Sequence, residues 1–445
     1  MSSRDQFASK IGFVLAAAGS AIGLGAIWKF PYMAGTNGGS VFIILFILCT
    51  VLIGLPILIA EFMIGRRGQK DPINSFKEQA PGKPWFMVGW LGLVSAGIIL
   101  SFYSVVGGWI LSYIVRAASF SLTGKNINFE QLFGDIISNP WEVIIAQAVF
   151  MLLTLVIVQA GIKGGIEKAS KIMMPLLFIF FFLLFIRSIT LDGAMEGVKF
   201  MFVPDWSFFN GETLLLALGQ AFFSLSVGVT AMITYASYLG RRENIVSAAG
   251  NVAIMNILIS ILAGLVIFPA VFALGYSPNS GPGLVFMMIP AVFEQLPFGG
   301  LFLLIFFILL LFATVTSSIS LLEVVVSIGI GNKTEKRKKA SWIFAGIIFI
   351  VGIPSALSYG IMSDISIIDK NIFDFMDFIT SSLLMPIGAF LTSLFVGYHY
   401  TKNIAKEELQ SSNWLFHVWY FIVRYLAPIA IFIILVNQLY STFFK

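Results

Sequence analysis

The sequence predicts an all-α polytopic membrane protein of eleven transmembrane helices, two of them interrupted at mid-membrane. Three observations predict it. Of 445 residues, 58% are hydrophobic and 11% charged, the reverse of a soluble domain's balance. The apolar residues gather in runs close to or beyond the ~20 residues that a helix needs to cross a bilayer. Glycines and serines crowd the centre of two of those runs, where hydrocarbon offers a freed amide or carbonyl no partner.

The first run, Ile11–Ala34, carries Gly19, Gly23 and Gly25 at its centre and Pro31 beyond them. A broken helix at that depth is tolerated only inside protein or along a wet cavity, so the run either kinks for packing or lines a binding site. Unbroken spans are expected at Val41–Gly65, Trp85–Ala118, Trp141–Gly161 and Ile172–Ile189. The sixth run, Leu214–Gly240, is interrupted by Ser224, Ser226, Gly228 and Thr230. Spans follow at Ile245–Tyr276, Gly299–Ile330, Ser341–Tyr359, Ile372–Tyr400 and Trp414–Phe443. Between the seventh and eighth, the proline-interrupted stretch Pro278–Gly300 reads as short helices folded over the outer face; a badly broken twelfth span is the alternative.

The interruptions lie five spans apart. Residues 1–445 therefore read as one domain of two repeats, 11–189 and 214–400, with 414–443 as an extra helix. An odd number of spans per repeat forces the two repeats into opposite orientations.

Charge placement sets the orientation. With the N-terminus in the cytoplasm, nineteen lysines and arginines fall on the inner side, among them Arg66, Arg67 and the Lys333–Lys339 cluster, against six outside. The net charge of +5 is thus a topology signal rather than a nucleic-acid patch. The expectation is a multi-pass protein of the cell membrane without a cleavable signal peptide. Its single cysteine, Cys49, excludes an internal disulfide and a thiolate cluster. His399 and His417, far from both interruptions, give enzyme or metal chemistry almost no material, so no catalytic residue is expected.

A resemblance now enters on particular residues. The run Gly19–Pro31 with Asn37–Gly39, Gly54–Pro56 with Glu61 and Gly65–Arg66, Gln220–Ser226 with Ile233–Tyr238, and Ala313–Ser318 together resemble the neurotransmitter:sodium symporters. The bacterial amino-acid members, typified by the leucine transporter, are the most similar, and the likeness covers essentially the whole chain. Paired broken helices in inverted repeats mark the substrate site of such transporters, a rule for which that family is itself a defining case.

The resemblance implies two sodium sites. The second takes carbonyls of Gly19, Ile22 and Ala313 with the hydroxyls of Thr316 and Ser317, hard neutral oxygens suited to a weakly bound monovalent cation. The first takes the Ala21 carbonyl, Ser224, Asn256 and the substrate's own carboxylate, but Ala26 stands where an asparagine is expected, leaving it one ligand short. Ser260 and Gln220 fit a chloride site whose tyrosine is replaced by Phe46, so the sequence leans against a chloride requirement.

The implied substrate is an amino acid. Half-helix ends offer amides to its carboxylate and carbonyls to its ammonium. Gly23 leaves room for that carboxylate where amine-transporting relatives carry aspartate, Gly25 lies beside it and Tyr103 donates to it. Ile99, Val106, Phe223, Ser226, Val229 and Leu321 form a mostly apolar side-chain pocket, and Val229 in place of phenylalanine leaves space for bulky or aromatic side chains unless Met232 or Leu225 refills it. Lys29 and Asp377 resemble an outer ion-pair gate, while Arg4 and Phe7 match an N-terminal inner tether whose acidic partner is missing near Gly331. Glu61 and Glu323 are expected to serve structure. Alternating-access symport is the expectation; a receptor that binds without transport, or a channel, is the rival.

Overall fold

The computed structural model describes residues 5–119, 121–122, 127–275, 285–331 and 333–443. Apart from a two-stranded ribbon, Ser366–Ile367 against Lys370–Asn371, its regular elements are helices. Among the described residues, nine helices are long and apolar enough to cross a membrane: Ser40–Gly68, Phe86–Ala118, Pro140–Gln159, Ile162–Ile189, Ile245–Ala273, Gly299–Ile330, Thr334–Leu357, Ile372–His399 and Asn413–Thr442. The pair Lys10–Ala21 and Gly25–Thr36, bent by 52°, makes a tenth. In the place of the sixth span stand Gly211–Ser224 and Ala231–Ala236, each too short to cross alone. An eleventh crossing rests on joining them through Leu225–Thr230.

Shorter helices run between the long ones. Pro72–Gln79, Phe129–Ser138 and Lys402–Leu409 each start at a side chain, Asp71, Asn128 or Thr401, that accepts from an otherwise orphaned first-turn amide. Within the proline-rich stretch, Met288–Glu294 is a short helix as expected; residues 276–284 lie outside the described residues. The ninth helix starts ahead of Ser341 and takes the basic cluster into its first turns. The reason is Arg337, which turns inward to Glu323 instead of facing water.

Helices that are apolar all round pack at the centre. Phe86–Ala118 and Gly299–Ile330 pack on one another and on Pro140–Gln159 and Thr334–Leu357. The first, interrupted helix lies buried against Ile245–Ala273, Gly299–Ile330 and Ile162–Ile189, whereas Leu152, Val156, Phe182 and Ile350 face outward, as hydrocarbon surroundings allow. Small residues bring backbones together in the way membrane helices favour. A β-carbon on Gly19 would approach Thr316 Cβ to 3.0 Å, and one on Gly388 would strike the Gly228 carbonyl.

Candidate functional site

The first helix ends at Ala21, and Ile22, Gly23 and Leu24 carry the chain through the bend to a π-helical turn at Gly25–Lys29. Ending a helix in the core strands its last carbonyls. Side chains from three other helices answer them. Ser317 Oγ donates to the carbonyls of Gly19 (3.2 Å) and Ser20 (3.1 Å), Ser226 Oγ donates to Ser20 (2.9 Å), and Asn256 Nδ2 donates to Ala21 (3.3 Å). On the far side of the bend, the Leu24 amide donates to Tyr103 Oη at 3.2 Å.

The second interruption is held differently. After Ser224 the chain turns through Ser226, Gly228 and Thr230, all with positive φ (53°, 92° and 59°). For serine and threonine this left-handed backbone costs roughly 1 kcal/mol or more and is retained where packing enforces it. Glu61 enforces part of it: its Oε1 accepts from the Gly228 amide at 2.8 Å, deep in the core. Gly228 itself cannot be replaced without collision, because a β-carbon there would strike the Met385 carbonyl.

Between the two breaks lies a cavity of about 40 Å³. Ala21, Gly23, Gly25, Ile99, Tyr103, Phe223, Ser226, Val229 and Leu321 line it, all of them expected from sequence as substrate contacts. Ser20, Leu24, Ser317, Ser320 and Met385 line it as well. One end is polar. A β-carbon on Gly23 would lie 2.7 Å from Tyr103 Oη and collide with the Ser317 hydroxyl, so glycine keeps that end open. The remaining lining is mostly apolar, Ile99, Val229, Leu321, Phe223 and Met385 with the serines Ser20, Ser226 and Ser320 among them, and no charged side chain reaches the cavity among the described residues.

The residues of the two expected ion sites also converge. Ser317 meets the Gly19 carbonyl, Thr316 Oγ1 donates to Ala313 at 3.0 Å, and Ile22 caps the half-helix that Gly19 belongs to. Ser224 Oγ donates to Asn256 Oδ1 at 3.1 Å, and Asn256 Nδ2 reaches both the Ala21 and Ser224 carbonyls. The oxygens in both groupings are neutral and suit a monovalent cation better than a divalent one, while Asn256 turns its Nδ2 to two of the carbonyls. Ser20 turns its hydroxyl to Ser320 (2.7 Å), away from the place of the expected asparagine at Ala26. Of the residues read for chloride, Gln220 donates to the Gly25 carbonyl, Ser260 to the Asn256 carbonyl, and Phe46 packs on Phe30 at 4.8 Å.

A larger chamber, about 400 Å³, adjoins the cavity. Tyr103 and Phe223 line both spaces and form the partition between them. Val106 lines the larger chamber rather than the inner cavity. Lys29 and Asp377 both line that chamber too, but Lys29 Nζ sits 4.4 Å from the Phe223 ring centre, and no ion pair within 4.0 Å joins it to Asp377 among the described residues. Asp374, one helical turn before Asp377, was not anticipated; it accepts from Tyr359 Oη at 3.3 Å. Burial, with the Asp374 carboxylate next in weight, pushes the Tyr359 phenol up from its ordinary value.

At the opposite end, the Phe7 amide donates to the Tyr238 carbonyl at 3.2 Å, and its ring packs edge-on against Phe13 and Tyr235. Arg4, its expected companion, lies outside the described residues. Glu167, missed in the sequence reading, accepts from the Ala8 amide (2.6 Å) and the Ser9 hydroxyl (2.9 Å). Glu323 accepts from Tyr238 Oη at 2.6 Å and pairs with Arg337, both buried.

The comparisons with known proteins agree in kind. The family model described as the sodium:neurotransmitter symporter family matches residues 4–136 and 129–443. The chain is 51% identical over 438 residues to an uncharacterised sodium-dependent transporter of Bacillus subtilis, YhdH, covering 97% of each. It is 37% identical over 453 residues to an uncharacterised sodium-dependent transporter of Haemophilus influenzae, covering 98% of each. The crystal structure of MhsT in complex with L-phenylalanine superposes with a TM-score of 0.91 at 44% identity, over 98% of this chain and 100% of that one. Matches of this extent to the whole chain, broken helices included, make the protein a member of the sodium:neurotransmitter symporter family.

Proposed function

We propose that the protein takes up an amino acid with a bulky hydrophobic or aromatic side chain, coupled to sodium, by alternating access. The observation that carries the reading is the cavity between the interrupted helices. A zwitterion's carboxylate suits the Gly23 end, where Tyr103 Oη and the Ser317 hydroxyl gather, and an uncharged side chain suits Ile99, Val229 and Leu321. That MhsT holds L-phenylalanine in a fold this similar adds support.

Two sodium ions fit the reading. Gly19, Ile22, Ala313, Thr316 and Ser317 hold one; Ala21, Ser224, Asn256 and the substrate carboxylate hold the other, more weakly for want of a ligand at Ala26. The sequence leans against a chloride requirement, since Phe46 supplies no hydroxyl. The protein sits in the cell membrane with its N-terminus in the cytoplasm, and 11–189 and 214–400 are its inverted repeats. Lys29, Asp377, Tyr103 and Phe223 close the outer side; Arg4 and Phe7 hold the inner side. The test is competition by the twenty amino acids against bound radiolabelled leucine, with and without sodium, followed by uptake into proteoliposomes. Sodium-dependent displacement by leucine and phenylalanine, with sodium-driven uptake, is expected. Binding without uptake would leave a receptor, and displacement by none of the twenty would sink the substrate class.

A further inference from the structure

The cavity is small for the substrates proposed. At about 40 Å³ it has room for a few waters, at roughly 10–15 Å³ each, so a large side chain enters only if a wall gives way. The walls differ in how readily they can give. Ile99 and Val229 are β-branched and stiff at χ1, and Leu321 is branched one carbon further out. Met385 is unbranched, has three rotatable bonds and a polarizable thioether, and is the one such side chain in the wall among the described residues.

The backbone around Met385 is fixed, and the buried side chain keeps the three rotatable bonds of methionine. The Met385 carbonyl abuts Gly228, and Gly388, one turn on, abuts the Gly228 carbonyl; a β-carbon on either glycine would collide with the other strand of the crossing. The tenth helix is therefore clamped against the unwound part of the sixth. Met385 also stands where the π-helical stretch Phe378–Leu384 gives way to the α-helix Met385–Leu394, directly before Pro386. Sequence reading pointed to Met232 or Leu225 as the residues to refill the space beside Val229. Neither lines the cavity, whereas Met385, 156 positions away from Val229, does.

We infer that Met385 is a specificity-determining residue of this site: its side chain is the adjustable wall that swings aside for large substrates and closes on small ones. The inference rests on the amino-acid reading of the cavity and adds a breadth of accepted sizes to it. A Met wall gives a graded preference across leucine, phenylalanine and tryptophan instead of a sharp cut-off.

The experiment is displacement of radiolabelled leucine from the purified full-length protein, in sodium, by valine, phenylalanine and tryptophan. In Met385→Ile, a β-branched side chain of similar bulk, phenylalanine and tryptophan should each lose about tenfold or more in competitive strength relative to valine. In Met385→Ala they should gain relative to valine. Ratios of phenylalanine to valine within about twofold of the unmodified protein in both variants would overturn the inference. Should Met385→Ile not fold, as judged by size-exclusion chromatography, Met385→Ala alone decides by the same ratio. Absence of leucine binding in the unmodified protein would instead overturn the amino-acid reading, and the inference with it.

Discussion

The amide of Leu24 donates to the phenol oxygen of Tyr103, so the bend of the first helix is anchored to the third at the point where Gly23 leaves space. Tyr103 accepts here, with its hydroxyl at the cavity's polar end.

Gly23→Ala tests that space. A single methyl there meets both Tyr103 Oη and the Ser317 hydroxyl, and overpacking costs about 1–3 kcal/mol. Amino-acid affinity is expected to drop about tenfold or more, read by displacement of labelled leucine. Wild-type affinity in the variant would show that the substrate carboxylate does not use this end.

Thr316→Ala combined with Ser317→Ala removes two oxygens that meet carbonyls of the first and eighth helices. If these hold sodium, the half-saturation for sodium rises by about tenfold or more while the protein still inserts, as each hydrogen-bond-scale contact to a charge contributes about 1.5–3 kcal/mol. An unchanged sodium titration would remove the second ion site.

Lys29 lies over the Phe223 ring, which partitions the chamber from the cavity. Closure follows binding in alternating access, so Lys29→Ala should depress uptake more than equilibrium binding. Equal losses, or none, measured side by side in proteoliposomes and in detergent, would make Lys29 a bystander.

Val229→Phe narrows the pocket at an apolar wall. Each buried methylene contributes about 0.8 kcal/mol, so phenylalanine should outcompete alanine by well over tenfold in the unmodified protein and lose that lead in the variant. Competition by alanine equal to that of phenylalanine before any substitution would contradict the pocket reading.

What was legible in the sequence was whatever a local pattern could carry. Glycine and serine clusters located both interruptions, and the resemblance to the symporter family located most of the cavity wall. Val106 shows the limit of that reading: it lies three residues, about 4.5 Å of helix rise, beyond Tyr103, and since Tyr103 forms the partition, a residue one turn on faces the larger chamber. Met385 and Glu167 escaped because they reach their places by packing across long stretches of chain, whereas Ser320 had a signal, one turn after Ser317 on the same helix. Asp374 did have a signal, its position one turn from Asp377 on the same helix face. Lys29 was read as an ion-pair partner from the resemblance to the family's outer gate, and the Phe223 ring lies beside it instead.

Glu323 and Arg337 are buried together, with Tyr238 on the carboxylate's other oxygen. Losing one member strands a charge at a cost of about 3–5 kcal/mol, whereas exchanging both for well-packed apolar groups can be neutral or better. A double-mutant cycle with Glu323→Leu and Arg337→Leu should therefore show the pair less damaging than either single change in thermal unfolding. Additive losses would mean that the two are not coupled. The pair thus acts as an evolutionary lock: a lineage can leave this charge arrangement only by passing through a destabilised intermediate or by changing two distant codons at once.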